Sequence, residues 1–123
     1  GDVYKRQPIS EVNFGNKKGG EGGGGGGGSG KLCIYKFNDL DGDGIKDTNE
    51  PFISWHIRVY KDTQLVWQGN ISENGKCMEL QAGTYTIIEQ GLSGWIPTTP
   101  TQQTISIQAG QTTNVYFGNK RLR

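Results

Sequence analysis

Apolar and polar side chains alternate with a period of two along most of the chain after residue 30. Successive side chains of a β-strand point to opposite faces, so this pattern predicts half-buried strands, and no window shows helical spacing of apolar residues. Residue types common in turns interrupt the alternation roughly every eight to twelve residues. The predicted strands are 31–37, 55–61, 64–68, 76–80, 84–90, 101–108 and 112–118. This row of short strands predicts an all-β fold, an antiparallel β-sandwich of about seven strands.

A glycine-rich segment precedes these strands. The chain has 123 residues, 21 of them glycine, and residues 19–30 contain only Glu21 and Ser29 besides glycine. A segment with so few side chains has nothing to bury, so we predict a flexible linker and assign the folded domain to residues 31–119. A domain of that size has a thin stability margin, so a bound metal or a covalent cross-link would stabilise it substantially.

The sequence before the linker resembles the end of the chain. Val-x-Phe-Gly-Asn-Lys occurs at 12–17 and again at 115–120, followed each time by a basic residue. A window cut from an array of repeats would contain such a duplication, so residues 8–18 are predicted to be the C-terminal strand of a preceding repeat. Residues 1–7 resemble the translated end of a sequencing adaptor and are excluded from fold reasoning as a cloning or sequencing artefact. Residues 120–123 are predicted to be a basic tail or linker stub.

Charge and hydropathy argue against two classes of partner. The formal net charge is +1, and residues 31–119 carry six Lys or Arg against nine Asp or Glu. An acidic domain is poorly suited to phosphate backbones, so we expect no nucleic-acid partner. No apolar run approaches the length of a membrane span, so we expect no membrane insertion in this fragment.

Acidic residues cluster between the first two predicted strands. Their spacing matches a calcium-binding loop, which has oxygen ligands at alternate positions, a glycine at the sharp turn and a glutamate at the last position. Carboxylates this close repel one another, and a hard divalent cation removes the repulsion; the alternative is an acidic loop exposed to solvent. Strand-like flanks indicate that the ion stiffens the domain. We predict Ca²⁺ bound by the side chains of Asp39, Asp41, Asp43, Asp47 and Glu50 and by the backbone carbonyl of Ile45.

Several motifs together resemble a known family. They are Tyr-Lys-Phe-Asn-Asp-Leu-Asp-Gly-Asp-Gly-Ile-Lys-Asp-Thr-Asn-Glu-Pro at 35–51, Ala-Gly-Thr-Tyr-Thr-Ile-Ile-Glu at 82–89, Gly-Trp-Ile-Pro-Thr-Thr-Pro at 94–100 and Phe-Gly-Asn-Lys at 117–120. This set resembles the SdrD B-like repeats of bacterial surface proteins, which are related to collagen-adhesin (Cna) B-type domains. The resemblance covers about residues 30–120.

The resemblance implies a fold, a role and a location. The fold would be a prealbumin-like, immunoglobulin-like sandwich, repeated in tandem as a calcium-stiffened stalk. The parent protein would be a secreted or cell-wall-anchored adhesin, so the location would be extracellular. Its partners would be neighbouring repeats of the same chain, with host or matrix proteins or glycans bound through other domains.

Related B-type domains also form an internal amide bond between a lysine on the first strand and an asparagine on the last, assisted by an acid on a middle strand. The alternation of apolar residues points Lys36, Glu89 and Asn119 inward, so these three are the candidates. In the alternative reading Lys36 extends to the rim, Glu89 lies at a strand end and Asn119 caps a turn.

Two cysteines and one histidine complete the reactive side chains. Cys33 and Cys77 are both predicted to point outward, and they would form a disulfide if their strands are adjacent. Two unpaired thiols are the alternative. Their spacing relative to His56 does not suit zinc, and we expect this histidine to be exposed or at a rim.

No arrangement typical of an enzyme is present, so the leading interpretation is a non-enzymatic structural module. A second interpretation is a module that binds glycan or protein through exposed Trp55, Trp67 and Trp95, although packing is the commoner role for such residues. A third is an assembly subunit whose segment 9–16 adds as a strand to the sheet of a neighbour.

Overall fold

The structure is a computed structural model, and it describes residues 28–122. The predicted artefact at 1–7, the strand of a preceding repeat at 8–18 and the first nine residues of the linker lie outside the described residues. The described part consists of eight strands and no helix. The strands are β1 (Ser29–Asn38), β2 (Trp55–Lys61), β3 (Gln64–Ile71), β4 (Lys76–Gln81), β5 (Gly83–Glu89), β6 (Trp95–Pro97), β7 (Gln102–Ile107) and β8 (Thr112–Arg121).

The strands form two four-stranded sheets, which confirms the predicted all-β sandwich. One sheet has the order β4-β1-β8-β6 and the other has the order β3-β2-β5-β7. All seven predicted strands are present. The eighth, β6, was not predicted because its three residues are too few to show an alternation.

One strand pair departs from the antiparallel prediction. β1 and β8 pair in parallel, with Lys36 opposite Phe117 and Asn38 opposite Asn119, whereas the other pairs are antiparallel. The first and last strands have no hairpin between them to impose an antiparallel direction. Both strands also exceed their predicted bounds: β1 begins at Ser29 in the predicted linker, and β8 continues to Arg121, which pairs with Trp95.

The core lies between the sheets and is built from the inward-pointing residues of each strand. Ile57, Val59 and Ile87 of one sheet face Leu32, Ile34, Val115 and Phe117 of the other, and all are almost fully buried. Burying one such side chain contributes about 1.5–3 kcal/mol, so this layer is the main stabilising element of the described domain.

The chain enters and leaves the sandwich at opposite ends, which we call the entry pole and the exit pole. At the entry pole Ser29 accepts a backbone hydrogen bond from Gly110 (2.9 Å). At the exit pole Leu122 donates one to Gly94 (2.8 Å). The acidic loop follows β1 directly and therefore lies at the exit pole. No helix among residues 28–122 is long and apolar enough to cross a membrane.

Candidate functional site

The acidic loop is anchored to the sheet at both of its ends. The backbone N–H of Asp39 donates to Asn119 O of β8 (2.8 Å), and the N–H of Asn38 donates to Pro51 O (2.9 Å). Within the loop Gly42 and Gly44 have φ of 73° and 81°, a left-handed conformation that only glycine adopts without strain. The backbone geometry therefore accounts for the glycines of the sequence pattern.

Four of the five predicted carboxylates converge. Asp39, Asp41, Asp43 and Glu50 each have a carboxylate oxygen within 4.8 Å of those of the other three. Asp39 and Glu50 are buried, whereas Asp41 and Asp43 are exposed. These oxygens are hard ligands on a tight backbone turn, so the donor set fits a divalent cation such as calcium.

Asp47 and Ile45 have different positions from those four. The Asp47 side chain is outside the converging group, and its backbone N–H donates to Glu50 Oε1 (2.8 Å). Position 9 of such loops often binds the ion through water, which accommodates a carboxylate set back from the centre. Ile45 has its backbone N–H bonded to Asp43 Oδ1 (2.9 Å).

Three of the loop carboxylates, those of Asp39, Asp47 and Glu50, have perturbed pKa values. Burial raises the pKa of Glu50, and the charges of Asp39 and Asp47 raise it further. Desolvation and the proximity of Asp41 raise the pKa of Asp47. Burial alone would raise the pKa of Asp39 too, but hydrogen bonds to its carboxylate, including one from Gly44 N–H (2.6 Å), lower it. The loop therefore holds negative charge that a bound cation would compensate.

Beneath the loop, the core contains a buried lysine. Lys36 on β1 is fully buried, its Nζ donates to the Glu89 carboxylate of β5, and it lies 4.0 Å from the centroid of the Trp55 ring. Asn119 on β8 is also buried, and its Oδ1 has no hydrogen-bond partner. Since Lys36 pairs with Phe117, Asn119 lies two residues further along the adjacent strand and faces the same side.

Burial governs the protonation of this cluster. Burial lowers the pKa of Lys36 from its ordinary value to about 8, although the Glu89 carboxylate acts in the opposite direction. Burial likewise raises the pKa of Glu89 against the effect of Lys36. Both shifts favour the neutral amine and the neutral acid, which are the forms that amide chemistry requires.

Cys33 and Cys77 form a disulfide. They lie directly opposite each other on the adjacent antiparallel strands β1 and β4, with a Cα–Cα distance of 4.0 Å. The direct pairing puts both side chains on one face of the sheet, opposite to the buried Leu32 and Ile34; Cys77 is exposed there, whereas Cys33 is buried. The chain segment between the two cysteines includes the acidic loop.

The three tryptophans do not form one exposed platform. Trp55 is buried and meets Trp95 edge to face, with ring centroids 5.4 Å apart. Trp67 packs elsewhere against the core, with Lys76 5.7 Å from its ring. His56 is half-buried, with Nδ1 3.1 Å from Asn70 Oδ1.

Sequence reasoning missed two features at the exit pole. Trp55 and Trp95 line an open groove of about 400 Å³ beside Leu92, and no residue pattern indicated it. On the outer face Tyr35 stacks on Tyr116 with ring centroids 5.2 Å apart. The alternation indicated that both tyrosines point outward, but it did not show that β1 and β8 are adjacent. The parallel pairing of these two strands brings the rings together.

Comparisons with known proteins show likeness to solved structures alone. No protein-family model and no curated protein sequence matches this chain. Three solved structures share its fold: GBS52, the minor pilin of Streptococcus agalactiae (TM-score 0.58, 14% identity); the Bacillus anthracis TIE protein (0.58, 18%); and the RrgB pilus protein of Streptococcus pneumoniae (0.53, 14%). The matches cover 78%, 76% and 81% of this chain but only 46%, 17% and 26% of those proteins. The chain therefore spans less than half the length of each.

Proposed function

We propose that this chain is a non-enzymatic structural module of an extracellular bacterial surface protein, and that a calcium ion in the acidic loop stiffens it. It would act as a spacer between neighbouring repeats of the same chain. Two of the similar folds belong to pilus proteins, GBS52 and RrgB, which supports a structural role at a cell surface. The observation that carries the calcium proposal is the convergence of Asp39, Asp41, Asp43 and Glu50.

The physical basis of the stiffening is the attachment of the loop. The backbone N–H of Asp39 is hydrogen-bonded to β8, and Glu50 lies shortly before β2. A cation bound by carboxylates from both ends of the loop would therefore hold the loop to the exit pole. A bound cation offsets their repulsion, and binding to the folded state alone adds about 2.7 kcal/mol of stability when the free ion is a hundredfold above Kd. Outside cells calcium is abundant, so affinities of roughly 10⁻⁴ to 10⁻³ M are sufficient.

Thermal melting of the full chain tests this proposal. Excess calcium should raise Tm relative to chelator, and magnesium should raise it less because it prefers a smaller octahedral site. Glu50→Gln should abolish the calcium increment, whereas the matched control Glu73→Gln, an exposed acid on the turn between β3 and β4 and outside the converging group, should retain it. An equal Tm in calcium and chelator would contradict the proposal.

A second candidate function belongs to the buried cluster. We propose that Lys36 and Asn119 form an intramolecular amide with Glu89 as proton shuttle, which would close the module covalently. Neutral Lys36 Nζ attacks the Asn119 Cγ and a C–N bond forms. Glu89 takes the proton that Nζ loses and delivers a proton to the original side-chain nitrogen, whose bond to Cγ breaks so that ammonia leaves. The support is the burial of all three groups and the unpartnered Oδ1 of Asn119.

Intact mass distinguishes the closed chain from the open one. The closed chain is lighter by one ammonia, and Glu89→Gln should keep the full mass because the proton shuttle is lost. Asp62→Asn, at an exposed turn, serves as the control that should still lose ammonia. A wild-type chain of full mass after prolonged incubation would contradict this candidate.

A further inference from the structure

Two asparagine side chains lie next to each other across the β1–β8 pair. Asn38 is directly opposite Asn119 in the parallel register, and the backbone hydrogen bond from Asp39 N–H to Asn119 O (2.8 Å) holds the strands together at this point. Neighbouring strands are about 4.8 Å apart, and directly paired residues project from the same face. Both side chains therefore point into the sandwich, on the face that carries Lys36 and Phe117.

The same atom lacks a partner in both side chains. Oδ1 of Asn38 and Oδ1 of Asn119 are each buried and have no hydrogen-bond partner among residues 28–122. A buried acceptor without a donor is costly, and native proteins rarely leave one unmatched. Two of them on one strand pair call for a donor that serves this position.

Each asparagine carries the donor that the other needs. A side-chain amide has an oxygen and an NH2 group of nearly the same size, so a half-turn about χ2 exchanges their positions without displacing a neighbour. In-register asparagines on parallel strands form amide ladders, in which the NH2 group of one residue donates to the oxygen of the next. A half-turn of Asn38 would place its Nδ2 against Asn119 Oδ1, and neither oxygen would then be left buried without a donor.

Burial favours a turn of Asn38 over a turn of Asn119. Asn119 is 2% exposed, so a turn of its own amide would leave its oxygen in the core. Asn38 is half-buried and is the last residue of β1, where the chain leaves the sheet for the acidic loop. An oxygen displaced at that position is hydrated more readily. The donor is therefore Asn38, and the acceptor is Asn119 Oδ1.

We propose that Asn38 is a further catalytic residue of the amide-forming cluster, and that its NH2 group donates a hydrogen bond to Asn119 Oδ1. The inference rests on the proposed reaction between Lys36 and Asn119. Attack by Lys36 Nζ on Asn119 Cγ moves the π electrons of the carbonyl onto Oδ1, and a donor already aimed at this oxygen stabilises the negative charge. When ammonia leaves, the C=O bond forms again, so Asn38 donates a hydrogen bond throughout and transfers no proton.

The positions of the residues keep the interactions of this step apart. Lys36 is two residues before Asn38 on β1, so it approaches Asn119 diagonally, whereas Asn38 approaches it straight across the strand pair. Glu89 reaches the cluster from β5 of the opposite sheet, through its contact with Lys36 Nζ. The nucleophile, the proton shuttle and the donor to the oxygen therefore come from three directions.

The rate of ammonia loss tests the catalytic role. The full chain, kept unfolded in acidic denaturant after synthesis, is diluted into native buffer, and its intact mass is followed with time. Asn38→Leu keeps the size of the side chain and removes the donor, so it should lose ammonia about 10²–10³ times more slowly than the wild type. Asn114→Leu is the matched control and should react at the wild-type rate, because Asn114 is a half-buried asparagine beside Cys33 on the outer face.

Hydrogen exchange of the side-chain amides tests the hydrogen bond without the reaction. The measurement uses the double variant Lys36→Met, Glu89→Gln, which cannot cross-link and leaves no buried acid unpaired. In its ¹⁵N NMR spectra the Asn38 NH2 protons should exchange more slowly than those of Asn74, which lies on an exposed turn. Adding Asn119→Ala should remove this protection because it removes the acceptor.

An Asn38→Leu chain that folds and loses ammonia at the wild-type rate would overturn the catalytic role. Asn38 NH2 protons that exchange as fast as those of Asn74, or protection of the Asn119 NH2 group in their place, would overturn the hydrogen bond. The exchange measurement needs no substitution at Asn38, so it decides the matter even where Asn38→Leu does not fold. Failure of the proposed reaction is distinguishable: a wild-type chain of full mass contradicts the amide and the catalytic role, while protected Asn38 protons would still support the hydrogen bond.

Discussion

The Cys33–Cys77 disulfide should be one of the largest single contributions to the stability of this domain. The bond joins residues 44 positions apart, and it cross-links strands that are already neighbours in the folded sheet. A cross-link of that separation reduces the entropy of the unfolded chain by an amount equivalent to about 4 kcal/mol, and measured effects are typically 2–4 kcal/mol. A small domain has little stability beyond that, so removal of the bond should be easy to detect.

Removal is best measured with Cys33→Ala, Cys77→Ala and the double variant under reducing conditions, beside the oxidised wild type. All three should lose about 2–4 kcal/mol of unfolding free energy, which corresponds to a Tm lower by roughly 10–30 °C. Urea unfolding followed by tryptophan fluorescence measures the loss. The slope m should rise in the variants, because an unfolded chain without the cross-link exposes more surface.

Two results would refute this reasoning. If both thiols of the unreduced, denatured wild type react with a labelling reagent, the bond is absent. If the double variant unfolds within about 0.5 kcal/mol of the wild type, the bond contributes no more than an ordinary surface substitution.

Three further predictions follow from the geometry. Asp41→Asn should weaken calcium binding more than Asp47→Asn, because only Asp41 belongs to the converging group; equal losses measured by calcium titration would contradict this. In an Asn119→Ala background, which cannot form the amide, the free energy of unfolding should rise between about pH 8 and the ordinary lysine pKa, because the unfolded chain binds the Lys36 proton there and the folded chain does not. Adding Lys36→Met should remove that rise. A pH dependence that the second substitution leaves unchanged would exclude Lys36 as its source. Gly75→Ala should lower the free energy of unfolding by about 1–3 kcal/mol more than Gly110→Ala, as measured by urea unfolding. Both glycines have positive φ, but only at Gly75 would a Cβ meet an aromatic ring, that of Tyr35 at 2.5 Å. Equal losses would show that the ring moves freely.

The sequence predicted the strands well because their alternation is local. Ile57 and Val59 point inward because the period of two fixes which side chains share a face, and no tertiary information is needed for that. The period carries no information about which strands pair. The parallel alignment of β1 with β8 therefore had to come from the structure, and so did the strand β6, whose three residues pair with residues 119–121 of β8.

The acidic loop and the buried cluster show the same limit at the level of side chains. The spacing of the loop predicted Asp39, Asp41, Asp43 and Glu50, which converge, but the same spacing did not show that the Asp47 side chain is set back. The inward direction of Lys36 was visible in the alternation. Its contact with Glu89 depends on how the two sheets are stacked, which no local pattern encodes.

Isothermal titration of calcium into the chelator-treated chain tests the central claim most directly. The account predicts one ion per chain, with Kd of roughly 10⁻⁴ to 10⁻³ M and no binding heat in Glu50→Gln. The absence of binding heat in the wild type, or an isotherm that Glu50→Gln leaves unchanged, would contradict it.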